Sequence, residues 1–360
     1  MVSVARMTLS RVRLRYGSLG SRAADPAQRL IRNISTIAQS GLHLWLASDE
    51  GSTVERLSWN GRAFTGLESF DLADYFSLPD GKSEIDVEAI SIDGHHLWIA
   101  GSHSVARQAP KPTAPALRKD PARRDSLATL AIVKRRPRRY LIGKLTLSNG
   151  GGSILRPVMG AAPCVKFDRT GNSLTKSLRG DPHLAPFLDL PDKENGLDIE
   201  GLAAGRGKLF LGLRGPVIRG YAIILEIAPR EKNGRLQLAK LGAEGRRYRK
   251  HFLDLGGLGI RDLTVDGDDL VMIAGPTMNL REPWSVMRWR HAFAARREGI
   301  VEARAVSSVM PMDPKDGARP EGILRFRHPK NGRRGWLVVY DNPSPARIDR
   351  KGSYDADFFS

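Results

Sequence analysis

Five stretches of this chain share one pattern: a short apolar strand with a polar or small residue near its middle, a polar turn, and a second apolar strand centred on a bulky side chain. They are Ile34-Ser35-Thr36-Ile37 with Leu44-Trp45-Leu46, and Val87-Glu88-Ala89-Ile90 with Leu97-Trp98-Ile99. Next come Ile199-Glu200-Gly201-Leu202 with Leu209-Phe210-Leu211, and Ile260-Arg261-Asp262-Leu263 with Leu270-Val271-Met272. The last is Pro320-Glu321-Gly322-Ile323 with Gly335-Trp336-Leu337. Ten residues separate Ser35 from Trp45, Glu88 from Trp98, Glu200 from Phe210 and Arg261 from Val271; Glu321 to Trp336 takes 15, because His328 to Arg334 lengthens the turn. A fixed offset within each pair, with drifting distance between pairs, describes repeated hairpins whose variation is pushed into outer loops.

A third strand follows each of the first four pairs, at Thr53 to Trp59, Arg139 to Leu147, Tyr221 to Ile227 and Trp284 to Trp289. A fourth is suggested by Phe70 to Leu72, Phe187 to Leu190 and Phe252 to Leu255. Four antiparallel strands between Gly, Asn and Asp turns make a propeller blade, and one blade cannot bury both of its faces, so blades must stack into a ring. The expected fold is all-β, a β-propeller of five blades, or six if residues 148–186 hide a degenerate one. Trp45, Trp98, Phe210 and Trp336 are expected to fill the gaps between blades. In the last repeat the third strand falls at Ala346 to Ile348, and Leu9 to Tyr16 would supply the closing strand. The expected organisation is a basic segment at 1–33, one propeller domain at 34–350 and a tail at 351–360. The domain carries a loop arm at 106–138 and an insertion at 148–186, with a short capped helix over Leu174 to Leu178.

The chain has 57 Lys and Arg against 39 Asp and Glu, a net +18, and the excess is uneven. Residues 1–33 hold seven arginines and one aspartate, and residues 106–144 hold twelve basic and two acidic residues. The second segment includes Pro110, Pro112, Pro115, Pro121 and Pro137, which block helix interiors, so it reads as an extended basic arm. Its one aromatic, Tyr140, provides no stacking platform for single-stranded nucleic acid, and no helix-turn-helix or zinc-finger pattern accompanies it; nucleic acid is not the expected partner. A single cysteine, Cys164, excludes an internal disulfide framework and multi-cysteine metal sites. No apolar run approaches the ~20 residues of a membrane span, and the Arg-rich N-terminus has no apolar leader core, so a cytoplasmic location is expected.

Common catalytic strings, including G-x-S-x-G, H-E-x-x-H, G-x-G-x-x-G and the P-loop, are absent. What recurs is acidic. Overlaying the repeats puts Ser35, Glu88, Glu200, Arg261 and Glu321 at one place on the first strand, which in a propeller lines the central channel. Asp86 and Asp198 stand two residues before Glu88 and Glu200, on the same strand face. Such carboxylates repel unless a cation sits among them, and Ca²⁺ or another hard divalent ion suits Asp86, Glu88, Asp198, Glu200 and Glu321 without Cys or His. Arg261 offers the competing explanation, pairing with one Glu as a purely structural clamp. The second strands end at Asp49-Glu50, Ser102-His103, Arg214 and Asp341-Asn342. Arg107 and Arg214 are candidates to orient an anion there, and His103 to move a proton.

Several strings resemble a bacterial family catalogued as domain of unknown function 3616 (DUF3616): Leu44 to Gly51, Glu84 to Ala89, Leu97 to Ser104, Asp181 to Leu184, Asp198 to Leu202 and Gly259 to Leu263. The likeness spans about Ile34 to Asn342, with Ala89 standing where that family would have Gly. It implies a propeller and brings no reaction. Asp198-Ile199-Glu200-Gly201-Leu202 is more loosely similar to the esterase-like phytase propellers, and propeller lactonases likewise hold a divalent ion on channel carboxylates. Two functions follow as expectations. One is a divalent-cation-dependent hydrolase of a phosphate ester, carboxylic ester or lactone, with no organic cofactor. The alternative is a non-catalytic propeller that binds a protein partner or polyanion through its rim and basic arm.

Overall fold

The computed structural model describes residues 7–17, 26–79, 84–109, 127–158, 160–278, 283–312, 317–349 and 352–360. Each repeat opens a run of antiparallel strands. The first is Ile34–Ser40, His43–Ser48, Thr53–Trp59 and Phe64–Asp71. The second is Val87–Asp93, His96–Gly101 and Ile142–Thr146. The third is Asp198–Gly205, Lys208–Gly215, Tyr221–Ile227 and Arg249–Asp254, and the fourth is Gly259–Asp266, Asp269–Gly275, Trp284–Trp289 and Val306–Met312. The last is Arg319–Arg327, Arg334–Asp341, Ser353–Phe359 and Leu9–Arg15.

The first strands of successive repeats are neighbours, and polar side chains clasp them together. Ser35 Oγ donates to Val87 O at 2.7 Å, and Thr36 Oγ1 accepts from Ile90 N at 3.2 Å. Ser91 Oγ accepts from Ala204 N at 3.0 Å, and Asp262 Oδ2 from Ile323 N at 2.7 Å. The circle closes where Gln39 exchanges two bonds with the backbone of Arg327, at 2.9 and 3.0 Å. The chain is therefore a β-propeller, with its first strands around a shared axis.

Apolar burial follows the same circle. Five core clusters each join one repeat to the next, and the bulky second-strand residue belongs to four of these seams. Trp45 packs with Val87 and Leu97, Phe210 with Leu263 and Met272, and Trp336 with Ile273 and Ile323, while Trp98 lies against the cluster of Leu202 and Leu211. Removing a buried aromatic such as Trp45, Phe210 or Trp336 costs about 3–5 kcal/mol, which makes these three core residues and not ligand platforms, while Trp98 is half-buried at the edge of its seam. Glycine permits the close approach of neighbouring strands: a Cβ on Gly201 would stand 2.8 Å from Leu263 Cβ.

The closing strand Leu9–Arg15 pairs along its whole length with Ser353–Phe359, from Leu9↔Phe359 to Arg15↔Ser353. The last repeat thus takes its third strand from residues expected as a tail, whereas Pro345–Arg347, inside the expected strand region, is a 3-10 turn. The expected fourth strand at Phe187 to Leu190 is likewise a 3-10 turn, Ala185–Phe187, followed by bends, because Pro186 and Pro191 bracket it. The insertion does carry a helix, Ser173–Leu178, whose cap is Asn172: its side chain accepts from Thr175 N while Thr175 Oγ1 accepts from Asn172 N, both at 2.9 Å. A second helix, Pro26–Asn33, lies within the basic N-terminal segment. Proline suits its first turn, and Ala27, Leu30 and Ile31 make the apolar stripe that packs on the seam between the last and first repeats. Of the basic arm, residues 110–126 lie outside the described residues.

Candidate functional site

Every first strand carries the same irregularity. The pairing skips Ser35 between Ile34↔Ser48 and Thr36↔Ala47, and Glu88 between Val87↔Gly101 and Ala89↔Ala100. It skips Glu200, Arg261 and Glu321 in the same way. Each is the extra residue of a β-bulge, released from the ladder, and a bulge re-aims its side chain. The five positions aligned by sequence spacing are therefore equivalent in backbone geometry, and four of them bring ionisable side chains together at one mouth of the channel.

Two arginines stitch part of this ring. Arg214, from the second strand of the third repeat, places Nη1 2.8 Å from Glu200 Oε1 and Nη2 2.7 Å from Asp198 Oδ2. Arg261 places Nε 2.9 Å from Glu200 Oε2 and Nη2 2.5 Å from Glu321 Oε1, with its guanidinium over the Trp284 ring. A third, Arg139, lies 3.0 Å from Asp86 Oδ2 and donates to Ser104 Oγ at 2.6 Å. The structural clamp is real for Glu200 and Glu321.

The clamp leaves carboxylates over. Among the described residues, no hydrogen bond or ion pair reaches the side chain of Glu88 or of Asp49, and Asp49 Oδ1 is buried without a partner. Burial first, then the charges of Asp86, Glu200 and Asp49, hold the Glu88 carboxyl well above its usual range. Burial together with Asp86, Asp341 and Glu321 pushes Asp49 up to about 8. Burial also lifts Glu200 to about 7, against the lowering pull of Arg214 and Arg261. Asp86, just ahead of the bulge, has φ 60°, a left-handed conformation that costs about 1–3 kcal/mol and persists where its surroundings impose it. The mouth is thus an acidic patch on a basic protein. Among the described residues, no group of three His, Cys, Asp or Glu side chains is already gathered at ligating distance of one point.

The other sequence candidates lie elsewhere. His103 is 2% exposed; its Nδ1 is 2.7 Å from Gly101 O and its Nε2 2.6 Å from Asn172 Nδ2. The carbonyl requires a proton on Nδ1 and the amide an unprotonated Nε2, so both nitrogens are spent; burial drops the imidazole pKa to about 4. Arg107 forks onto Glu194 on the exposed edge and does not join the ring. Asp49 and Arg139 belong to the mouth but were not singled out as ligand or partner: Asp49 ends a second strand in an acidic pair with Glu50, and Arg139 is hidden in a run of arm arginines.

A family model described as "Protein of unknown function (DUF3616)" matches residues 33–357. No curated protein matches the chain. Among solved structures, the Myxococcus xanthus glutaminyl cyclase aligns over 97% of this chain and 98% of its own, at 11% identity and a TM-score of 0.38. The PQQ-bound aldose sugar dehydrogenase of Streptomyces coelicolor aligns over 99% and 98%, at 11% identity and 0.37. The Cps50 (Swd1) β-propeller domain of Myceliophteria thermophila aligns over 91% and 97%, at 10% and 0.34. Likeness at this level says nothing about activity.

Proposed function

The chain belongs to the DUF3616 family, and from the chemistry of its channel mouth we propose that it is a divalent-cation-dependent hydrolase acting on a phosphate ester, carboxylic ester or lactone. The observation that carries this reading is the Asp49 carboxylate, whose Oδ1 is buried and partnerless beside Asp86 and the unpaired Glu88. A cation is what such a cluster lacks, and carboxylate oxygens are the donors a hard ion takes. Asp49, Asp86 and Glu88 are the ligands of this proposal, with Asp198 through its unpartnered Oδ1. Glu200 and Glu321, already held by Arg214 and Arg261, are the buttress. Glu88 is half-buried and has no side-chain partner among the described residues, so it is the carboxylate least committed to other contacts.

A bound divalent ion supplies a Lewis acid and a water of lowered pKa. Asp49, kept protonated at neutral pH by burial and by its acidic neighbours, would give up that proton on ligating the ion. The arm is the weaker candidate for function, since four of its arginines are engaged: Arg107 with Glu194, Arg135 with Asp189, Arg136 with Glu84 and Arg139 with Asp86.

The test is to titrate Ca²⁺, Mn²⁺ and Zn²⁺ into chelator-stripped protein while following thermal unfolding and hydrolysis of 4-nitrophenyl phosphate, 4-nitrophenyl acetate and a γ-lactone. At least one ion is expected to raise the melting temperature and to support turnover, and Glu88→Gln to abolish both effects. No shift with any ion, or an undiminished shift in Glu88→Gln, overturns the reading.

A further inference from the structure

Beside the acidic mouth lies a cleft of about 700 Å³ between the helix Pro26–Asn33 and the end of the strand Arg334–Asp341. This is within the roughly 300–1,000 Å³ typical of small-molecule sites. Its lining combines two guanidinium groups, Arg32 and Arg319, with the amides of Gln28, Asn33 and Asn342, and an apolar wall that includes Ile31 and Ile348. The backbone fixes its shape, because Asn342 N donates to Arg32 O at 3.2 Å and Asn342 holds φ 46°. Arg32 is exposed and has no carboxylate partner among the described residues, unlike the arginines of the mouth. Arg319 Nη1 stands 3.8 Å from Asp341 Oδ2, with half of its side chain exposed.

Asp341 belongs to both places. It lines the cleft, and its charge acts on Asp49 in the mouth. The basic, amide-rich cleft and the acidic ring thus share Asp341.

We infer that the cleft between Arg32 and Arg319 binds the oxyanion end of a small organic ligand, its apolar body lying against Ile31 and Ile348. Guanidinium forks match the geometry of phosphate and carboxylate oxygens, and the amides supply further donors without adding charge. The inference deepens the hydrolase reading, naming its substrate class as a small ester with an anionic group set off from the bond to be cut; the binding itself does not depend on a metal. No covalent step is required of the cleft residues.

Isothermal titration of phenyl phosphate and of benzoate into chelator-stripped protein tests it, with phenol as the uncharged control. Phenyl phosphate, benzoate or both are expected to bind, phenol is not, and Arg32→Gln is expected to weaken binding at least about tenfold, the loss of one charge-assisted hydrogen bond. Whichever anion binds more tightly identifies the oxyanion. Arg32 is solvent-facing, so the variant should keep the wild-type melting temperature, which is measured alongside. Glu88→Gln is expected to retain anion binding, and Arg32→Gln to retain any ion-induced thermal shift, so each reading can fail without the other. No binding of either anion, equal binding of phenol, or unchanged affinity in Arg32→Gln overturns the inference.

Discussion

Arg261 Nη2 lies 2.5 Å from Glu321 Oε1, and the same guanidinium reaches Glu200, so one arginine ties the first strands of three successive repeats. All three side chains are largely buried, and removing one partner of a buried pair strands the others. Arg261→Met is expected to destabilise the protein by about 3–5 kcal/mol. Adding Glu200→Gln and Glu321→Gln should recover much of that loss, because it removes the stranded charges. Denaturant unfolding of the wild type, the single variant and the triple variant checks both statements.

Asp49 gives the mouth a pH signature. An unfolded aspartate loses its proton near 3.8, whereas folded Asp49 keeps its proton up to about 8. Between these values the folded state binds more protons than the unfolded one, so stability falls as pH rises. Asp49→Asn removes that dependence. Its melting temperature is expected to match the wild type near pH 4 and to exceed it by several degrees at pH 8, read by thermal scans of metal-free protein.

The same proton must leave when an ion arrives. Under the proposed function, cation affinity should climb with pH up to about 8, and binding at pH 7 should release at least about one proton, that of Asp49, with Glu88 and Asp198, whose carboxyls are also held high, adding to it. Calorimetry in two buffers of different ionisation enthalpy measures this release directly.

For His103 the sign is reversed. Its folded pKa near 4 lies below the ordinary 6.5. The unfolded chain therefore takes up a proton first on acidification, and the stability this group contributes is lost between about pH 6.5 and 4. In a proton-detected NMR titration its imidazole should keep the neutral, Nδ1-protonated form down to about pH 5. His103→Ala should lower stability while leaving any hydrolytic pH profile unmoved above pH 5.

Deletion of residues 353–360 should abolish the fold and not merely trim it. Ser353–Phe359 sits between Arg334–Asp341 and Leu9–Arg15, so its loss strips partners from both. Expression of the truncated chain, judged by circular dichroism and gel filtration, is expected to give no cooperative melt.

The ring was legible in the sequence because its signal is arithmetic. A hairpin with one bulged residue keeps Ser35, Glu88, Glu200, Arg261 and their bulky partners Trp45, Trp98, Phe210 and Val271 in step whatever the outer loops do. The outer strands were harder to read. Phe-Leu-Asp-Leu occurs twice, at Phe187 and at Phe252, and four identical residues give a turn in one place and a strand in the other. Flanking prolines decide the first; pairing with Tyr221–Ile227 decides the second. Ser353–Phe359 carries two aspartates in seven residues and reads as polar, yet Asp357 is buried because Arg347 and the Tyr340 hydroxyl meet its carboxylate. Which carboxylates stay unpaired could not be read at all, since that depends on which arginines reach them: Arg214 and Arg139 do, and Arg107 does not.

The pairing of Leu9–Arg15 with Ser353–Phe359 also sets how the molecule would yield under tension. Leu9 faces Phe359, so a load applied at these two residues would peel the strands apart from one end, meeting their hydrogen bonds in turn and not all at once. A propeller held together by its buried seams would thus open mechanically at its clasp, with little force, before any other part gives way.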